Sequence, residues 1–125
     1  MQITASVVSL NVPDPRASAD FLIEHLGFTE QMAADGFVSL QRADAGMNVV
    51  YLRTGLATFK PARIAGSAGE GLLVAFVVDD IDREYDRLRG EGVPIETPIE
   101  TEEWGERYFQ MTDPNGIVIQ LVQWV

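Results

Sequence analysis

Apolar and polar residues alternate with a period of two in four stretches of the chain, GFVSLQR, MNVVYLR, RYFQMT and IVIQLVQW. That period places successive side chains on opposite faces and predicts strands. Two other stretches, SLNVPDPRASADFLIEHLGF and AFVVDDIDREYDRLRGEGV, run from an alternating strand through an Asp into a helical pattern that closes on a Gly. Val12, Asp14 and Leu22 of the first recur as Val78, Asp80 and Leu88 of the second, each 66 positions later. In both, the Asp stands where its carboxylate can cap the first turn of a helix, with Pro15 and Asp82 suited to that turn. Gly27 and Gly92 stand where a left-handed residue ends one.

The chain therefore states one theme twice: strand, helix, then three strands. Asp113-Pro114-Asn115-Gly116 closes the last hairpin, with Pro at the second place of the turn and Gly where positive φ is wanted; the ADAG of residues 43–46 does the same in the first half. The small-residue segment TGLATFKPARIAGSAGEG reads as the connection. The expected architecture is α+β, two βαβββ modules in a curved mixed sheet of about eight strands with a concave cleft. One domain spans 1–125, its first module at about 1–58, its linker at about 59–70 and its second module at about 71–125.

Composition narrows the function classes. At 125 residues with 46% hydrophobic and 22% charged, the chain can bury a core without disulfide or metal support. No apolar run approaches the roughly 20 residues of a bilayer helix, and Met1-Gln2-Ile3-Thr4 does not open a signal peptide, so the expected location is cytoplasmic. The absence of cysteine removes thiol nucleophiles and Cys-liganded metals. A formal charge of −10 opposes docking on nucleic acid or anionic lipid, so neither nucleic acid nor membrane is expected as a partner. The single histidine, His25, falls at the end of the first helix, and the carboxylates gather in the second helix and in residues 96–106, away from the alternating strands.

The whole chain, from VSLNVPDPRASADFLIEHLGF through LVAFVVDDIDREYDRLRGEGV to WGERYFQMTDPNGIVIQLV, resembles the vicinal oxygen chelate superfamily, which includes glyoxalase I, extradiol dioxygenases, fosfomycin-resistance transferases and bleomycin-resistance proteins. The resemblance implies the glyoxalase/bleomycin-resistance fold. In the enzymes of that family, His, Glu or Gln side chains on four strands hold a divalent metal. The matching positions here are Val7, Val50 or Tyr51, Leu73 and Gln120. Only Gln120 carries a ligating atom of that kind, and one amide oxygen does not make a catalytic site that wants three protein ligands. No metal, no cofactor and no catalytic residue is therefore expected.

Strand parity groups Val118, Gln120 and Val122 on the cleft side, together with Val7, Ser9, Leu73 and Ala75, while Ile117, Ile119 and Leu121 point to the helices. Aromatics supply the rim. In the bleomycin-resistance branch, a Trp before the final hairpin and a Phe of the first hairpin sandwich a planar part of the drug across a dimer. The residues that match are Trp104, in WGERYF, and Phe37, in ADGFVSLQR. The resulting expectation is a homodimer that binds and sequesters a flat hydrophobic or aromatic natural product without turnover, as in antibiotic self-resistance. The resemblance suggests ligands of the bleomycin, mitomycin or enediyne kind. Trp104 and Phe37 would stack, Gln120 and Tyr51 would hydrogen-bond, Phe59 and Tyr108 would close the walls, and Arg107 would either sit over an aromatic face or pair with nearby acids. The alternatives are a metal-independent isomerase or lyase working through Tyr51, Tyr108 or Glu106, and a weak-metal glyoxalase- or dioxygenase-like enzyme using Gln120 with a glutamate.

Overall fold

A computed structural model describes all residues, 1–125. The chain divides into two compact units, Met1–Ala68 and Gly69–Val125. The first contains β1 (Val7–Val12), α1 (Pro15–Leu26), β2 (Thr29–Ala34), β3 (Phe37–Gln41), β4 (Asn48–Arg53) and a single turn of 3-10 helix at Ala62–Ile64. The second contains β5 (Val74–Val77), α2 (Ile81–Gly90), β6 (Ile95–Thr101), β7 (Glu106–Thr112) and β8 (Val118–Trp124). The eight strands are hydrogen-bonded as two four-stranded sheets, β1-β4-β3-β2 and β5-β8-β7-β6. Each is mixed: the first strand of the module runs parallel to the last, and the remaining neighbours are antiparallel. This is the repeated βαβββ, α+β arrangement that the sequence pattern predicts. No helix is long and apolar enough to cross a membrane.

The helix ends form through the residues the sequence places there. The Asp14 side chain accepts from the Ala17 backbone N–H at 3.2 Å, and Asp80 accepts from Arg83 at 3.2 Å. Such a cap contributes about 1 kcal/mol over an alanine. At the far end of α1, Gly27 is left-handed (φ 71°), and its N–H returns to the Leu22 carbonyl. The Arg42 side chain closes the same helix end by donating to the Leu26 carbonyl.

Each sheet buries one face beneath its own helix. In the first module Leu10, Val12, Val38, Leu40, Val49 and Tyr51 form that face, and Phe21, Leu22 and Leu26 of α1 are buried with them. In the second, Phe109, Met111, Ile119 and Leu121 are buried on the helix side, where Tyr85 of α2 meets Phe109 edge-on at 4.9 Å between ring centroids. Gln123 fixes the start of α2 by accepting from the Ile81 N–H at 3.1 Å and donating to the Asp79 carbonyl at 2.8 Å.

Residues 59–68, which composition presents as part of a linker, pack onto β1 of the first module. Ala68 N donates to the Asn11 carbonyl at 2.7 Å, Asn11 Nδ2 donates to the Ile64 carbonyl at 2.9 Å, and Gly55 N donates to the Ala65 carbonyl at 3.2 Å. The segment thus satisfies its backbone against a strand edge, which composition alone does not reveal.

Candidate functional site

In the second module, the face away from α2 carries most of the polar chemistry. The antiparallel register sets Glu106 opposite Trp124, Tyr108 opposite Val122, Gln110 opposite Gln120 and Thr112 opposite Val118. Side chains facing each other across such a ladder share a face. The predicted grouping of Val118, Gln120 and Val122 is therefore the one found. A chain of hydrogen bonds crosses this face: Thr97 Oγ1 donates to Gln110 Oε1 at 2.6 Å, Gln110 Nε2 to Gln120 Oε1 at 2.9 Å, Gln120 Nε2 to Glu106 Oε1 at 3.2 Å, and Trp104 Nε1 to Glu106 Oε2 at 3.1 Å. Gln120, only 6% exposed, is thereby fixed with its oxygen toward Gln110 and its amino group toward Glu106.

Trp104 lies in the turn between β6 and β7. Gly105 N donates to the Glu102 carbonyl there at 3.0 Å, and Glu102 N to the Glu106 carbonyl at 2.8 Å. Gly105 has φ 90°, and a Cβ added to it would stand 2.8 Å from the Val125 carbonyl oxygen, so this glycine admits the chain's own backbone. Trp104 is 67% exposed, and its indole is anchored at the N–H. It does not cap the core. Trp124 is exposed as well.

Tyr108 shares the Gln120 face, and its single phenolic proton is offered to two carboxylates, Glu100 Oε1 at 2.7 Å and Glu102 Oε1 at 2.8 Å. Hydrogen bonds to Glu100 first, and then to Glu102, raise the phenol above its ordinary pKa. Arg107 points to the other side of the strand. Its guanidinium donates to Asp82 at 2.6 and 3.2 Å and to Thr101 at 2.8 Å, and the Arg107 hydrogen bonds hold the Asp82 carboxyl below its usual range. Of the two roles open to Arg107 in the sequence, the geometry displays the ion pair.

In the first module, parity separates the two positions between which the sequence does not choose. Tyr51 pairs with Leu10 and Val38 in the helix-side core and is 1% exposed, whereas Val50 pairs with Ser9 and Ser39 on the opposite face. Phe37, half-buried, lies on this opposite face across from Leu52. Phe59, also half-buried, belongs to the segment packed on β1. Phe37 and Phe59 thus belong to the first module, and Trp104, Tyr108, Gln120 and Arg107 to the second.

The metal positions implied by the family are Val7 and Val50 in the first module and Leu73 and Gln120 in the second. Three have no lone pair, the oxygen of the fourth already accepts from Gln110, and no three His, Asp or Glu side chains converge anywhere in the chain. These residues do not fit a divalent metal. His25 packs edge-on against Phe21 at 5.1 Å, in the last turn of α1.

Two features were missed in the sequence. Gln110 and Thr97 extend the amide chain, and Gln110 was within reach of the parity argument, standing two places from both Tyr108 and Thr112. Asn11 is the other: it is buried, and its Oδ1 has no hydrogen-bond partner. An acceptor left in that state costs about 1–3 kcal/mol, and only the packing of residues 62–68 brings it about.

Comparison with known proteins agrees with this arrangement. The model of the Glyoxalase/Bleomycin resistance protein/Dioxygenase superfamily matches residues 4–121. A glyoxalase/bleomycin resistance protein/dioxygenase from Nocardioides superposes with a TM-score of 0.79 at 24% identity, over 100% of this chain and 85% of that one. TioX from Micromonospora sp. ML1 superposes with a TM-score of 0.73 at 25% identity, over 98% of this chain and 100% of that one. The uncharacterized protein YraH of Bacillus subtilis (strain 168) is 34% identical over 59 residues, a match that spans 46% of each chain and so about half the length of that relative.

Proposed function

Because the chain belongs to the Glyoxalase/Bleomycin resistance protein/Dioxygenase superfamily, we propose that it works as a homodimer that binds and sequesters a flat hydrophobic or aromatic small molecule, an antibiotic in a self-resistance setting, and returns it unchanged. The observation that carries this reading is Trp104: a large planar apolar surface, fixed at one edge by Glu106 and otherwise open to solvent, beside a buried amide network. Holding two bare indoles in water has no benefit to folding, whereas stacking a flat ligand on such a face is worth about 0.5–1.5 kcal/mol beyond area burial. Tyr108 is a wall of this surface and Gln120 its polar anchor. Tyr51, expected from the sequence to hydrogen-bond the ligand, lies instead in the helix-side core of the first module, 1% exposed.

A dimer is supported by the bare apolar residues of the two edge strands, Val7 on β1 and Leu73 and Val77 at β5, which a second copy would cover. On the Gln120 face Glu106 accepts from Gln120 and Trp104, and Tyr108 donates to Glu100 and Glu102, so these groups are engaged with one another, which favours binding over turnover.

The test is intrinsic tryptophan fluorescence of the protein titrated with planar antibiotics, with Trp104→Phe and Trp124→Phe alongside and the ligand recovered for mass analysis. Saturable quenching that disappears in Trp104→Phe, with an unaltered ligand, is expected. Quenching indifferent to Trp104, or a chemically altered ligand, rejects the proposal.

A further inference from the structure

The first module contains a cavity of about 430 Å³, a size suited to a small organic molecule, lined by Ser9 and Asn11 of β1 and by Phe59, Arg63, Ile64 and Ser67 of the segment packed over it. Three independent observations define its chemistry. First, no aspartate or glutamate lines it, in a chain that has 19 of them.

Second, it is lined by a cation that no carboxylate engages. Of the nine Lys and Arg residues, Arg16, Arg42, Arg53, Arg83, Arg87 and Arg107 are paired with carboxylates, and Arg89 lies over the Tyr85 ring. Lys60 and Arg63 remain, in the same short segment, with neither an ion pair nor an aromatic face, and Arg63 lines the cavity. In a molecule of charge −10, pairing a guanidinium with a surface carboxylate is easy, so a free one at a cavity without acids is a local exception to the global field.

Third, Asn11 contributes a buried acceptor that lacks a donor. Its orientation is fixed, because Nδ2 donates to the Ile64 carbonyl at 2.9 Å, and turning the amide over would set oxygen against oxygen. That acceptor is closed off from solvent, so what the wall offers a ligand is a forked cation, two hydroxyls that no protein group engages (Ser9 and Ser67) and the ring of Phe59.

We infer that this cavity is a binding site for a small aromatic carboxylic acid. The carboxylate meets Arg63 in the fork geometry that guanidinium favours, with the serine hydroxyls completing its hydrogen bonds. The ring lies against Phe59. The site rests on first-module residues and does not depend on stacking at Trp104.

Three probes separate the contributions: benzoate has ring and carboxylate; acetate lacks the ring; aniline lacks the carboxylate. In nitrogen-15 NMR titrations, benzoate is expected to shift the amides of Ser9, Asn11 and residues 59–68 saturably, acetate to do so more weakly, and aniline not at all. Arg63→Gln, which removes no hydrogen bond or ion pair of the protein, is expected to weaken benzoate by about tenfold or more, with the remaining spectrum unchanged. Unchanged affinity in Arg63→Gln, aniline binding as well as benzoate, shifts confined to the second module, or no saturable shift each overturn the inference. Trp104→Phe is expected to leave this titration unaltered, so failure here and failure of the stacking proposal are distinguishable.

Discussion

The two modules repeat one chain path, yet they treat the same strand position in opposite ways. Asn11 of β1 and Val77 of β5 stand at equivalent places, 66 residues apart, each one residue before the repeated valine, Val12 or Val78. Asn11 is 8% exposed and Val77 is 67% exposed. What differs is the cover: residues 59–68 fold back over β1 and hydrogen-bond to Asn11, both backbone and side chain, whereas the face of β5 bearing Val77 is bare. Where the chain covers its own strand, the residue beneath is polar and directed. Where it does not, the residue is apolar and exposed. A residue's chemistry in a duplicated fold thus follows from what is packed on it, more than from its place in the repeat.

The largest effect that can break this comparison comes from the cores. Phe109, fully buried beneath α2, should cost about 3–5 kcal/mol on substitution by alanine. Denaturant unfolding with amide hydrogen exchange should show protection in β5–β8 lost before that in β1–β4. Simultaneous loss in both sheets would mean that the modules are one cooperative unit and that their differences are local decoration.

Next comes the contrast itself. Asn11→Ala removes the donor to the Ile64 carbonyl but also the unpartnered Oδ1, costs of about 1–3 kcal/mol that oppose each other, so it should destabilise by no more than about 1 kcal/mol, with faster exchange at Ala68. Val77→Ala, at a bare position, should change the stability of the isolated chain by less than about 0.5 kcal/mol. A large effect of Val77→Ala that grows with protein concentration would show that a second copy buries β5.

The smallest effect is electrostatic and confined to the second module. The folded state holds the Tyr108 proton more tightly than the unfolded chain does, because Glu100 and Glu102 accept it. Its contribution is therefore complete below the ordinary tyrosine pKa of about 10 and declines as pH rises beyond it. Ultraviolet titration should find one of the three tyrosines ionising last, and Tyr108→Phe should flatten the alkaline fall in stability. If all three ionise together, the two glutamates do not hold the phenol.

Much of this could be read from the sequence because it depends on near neighbours. Asp14 and Asp80 cap helices three residues away, and Asp113 shapes its own turn by accepting from the N–H groups of Asn115 and Ile117, both at 2.9 Å. Strand parity sorted Val118, Gln120 and Val122 correctly because β8 alternates cleanly. The illegible parts were those without alternation or with distant partners. β2, TEQMAA, is exposed at every position and so leaves no period to detect. Val50 and Tyr51 could not be separated until the parallel pairing of Leu10 with Tyr51 fixed the face. Asn11 and Arg63 are 52 residues apart, and no local pattern announces that a glycine-rich segment will return to cover the first strand.

That returning segment also bears on how such a protein changes over generations. Residues 54–68 follow the last strand of the first module and take no part in either sheet's register, so they can be lengthened, shortened or rewritten at a loop-closure cost that grows only slowly with length. The ladders of both sheets would keep their pairing through such changes, and only the hydrogen bonds that the strap makes to Asn11 and Gly55 would have to be remade.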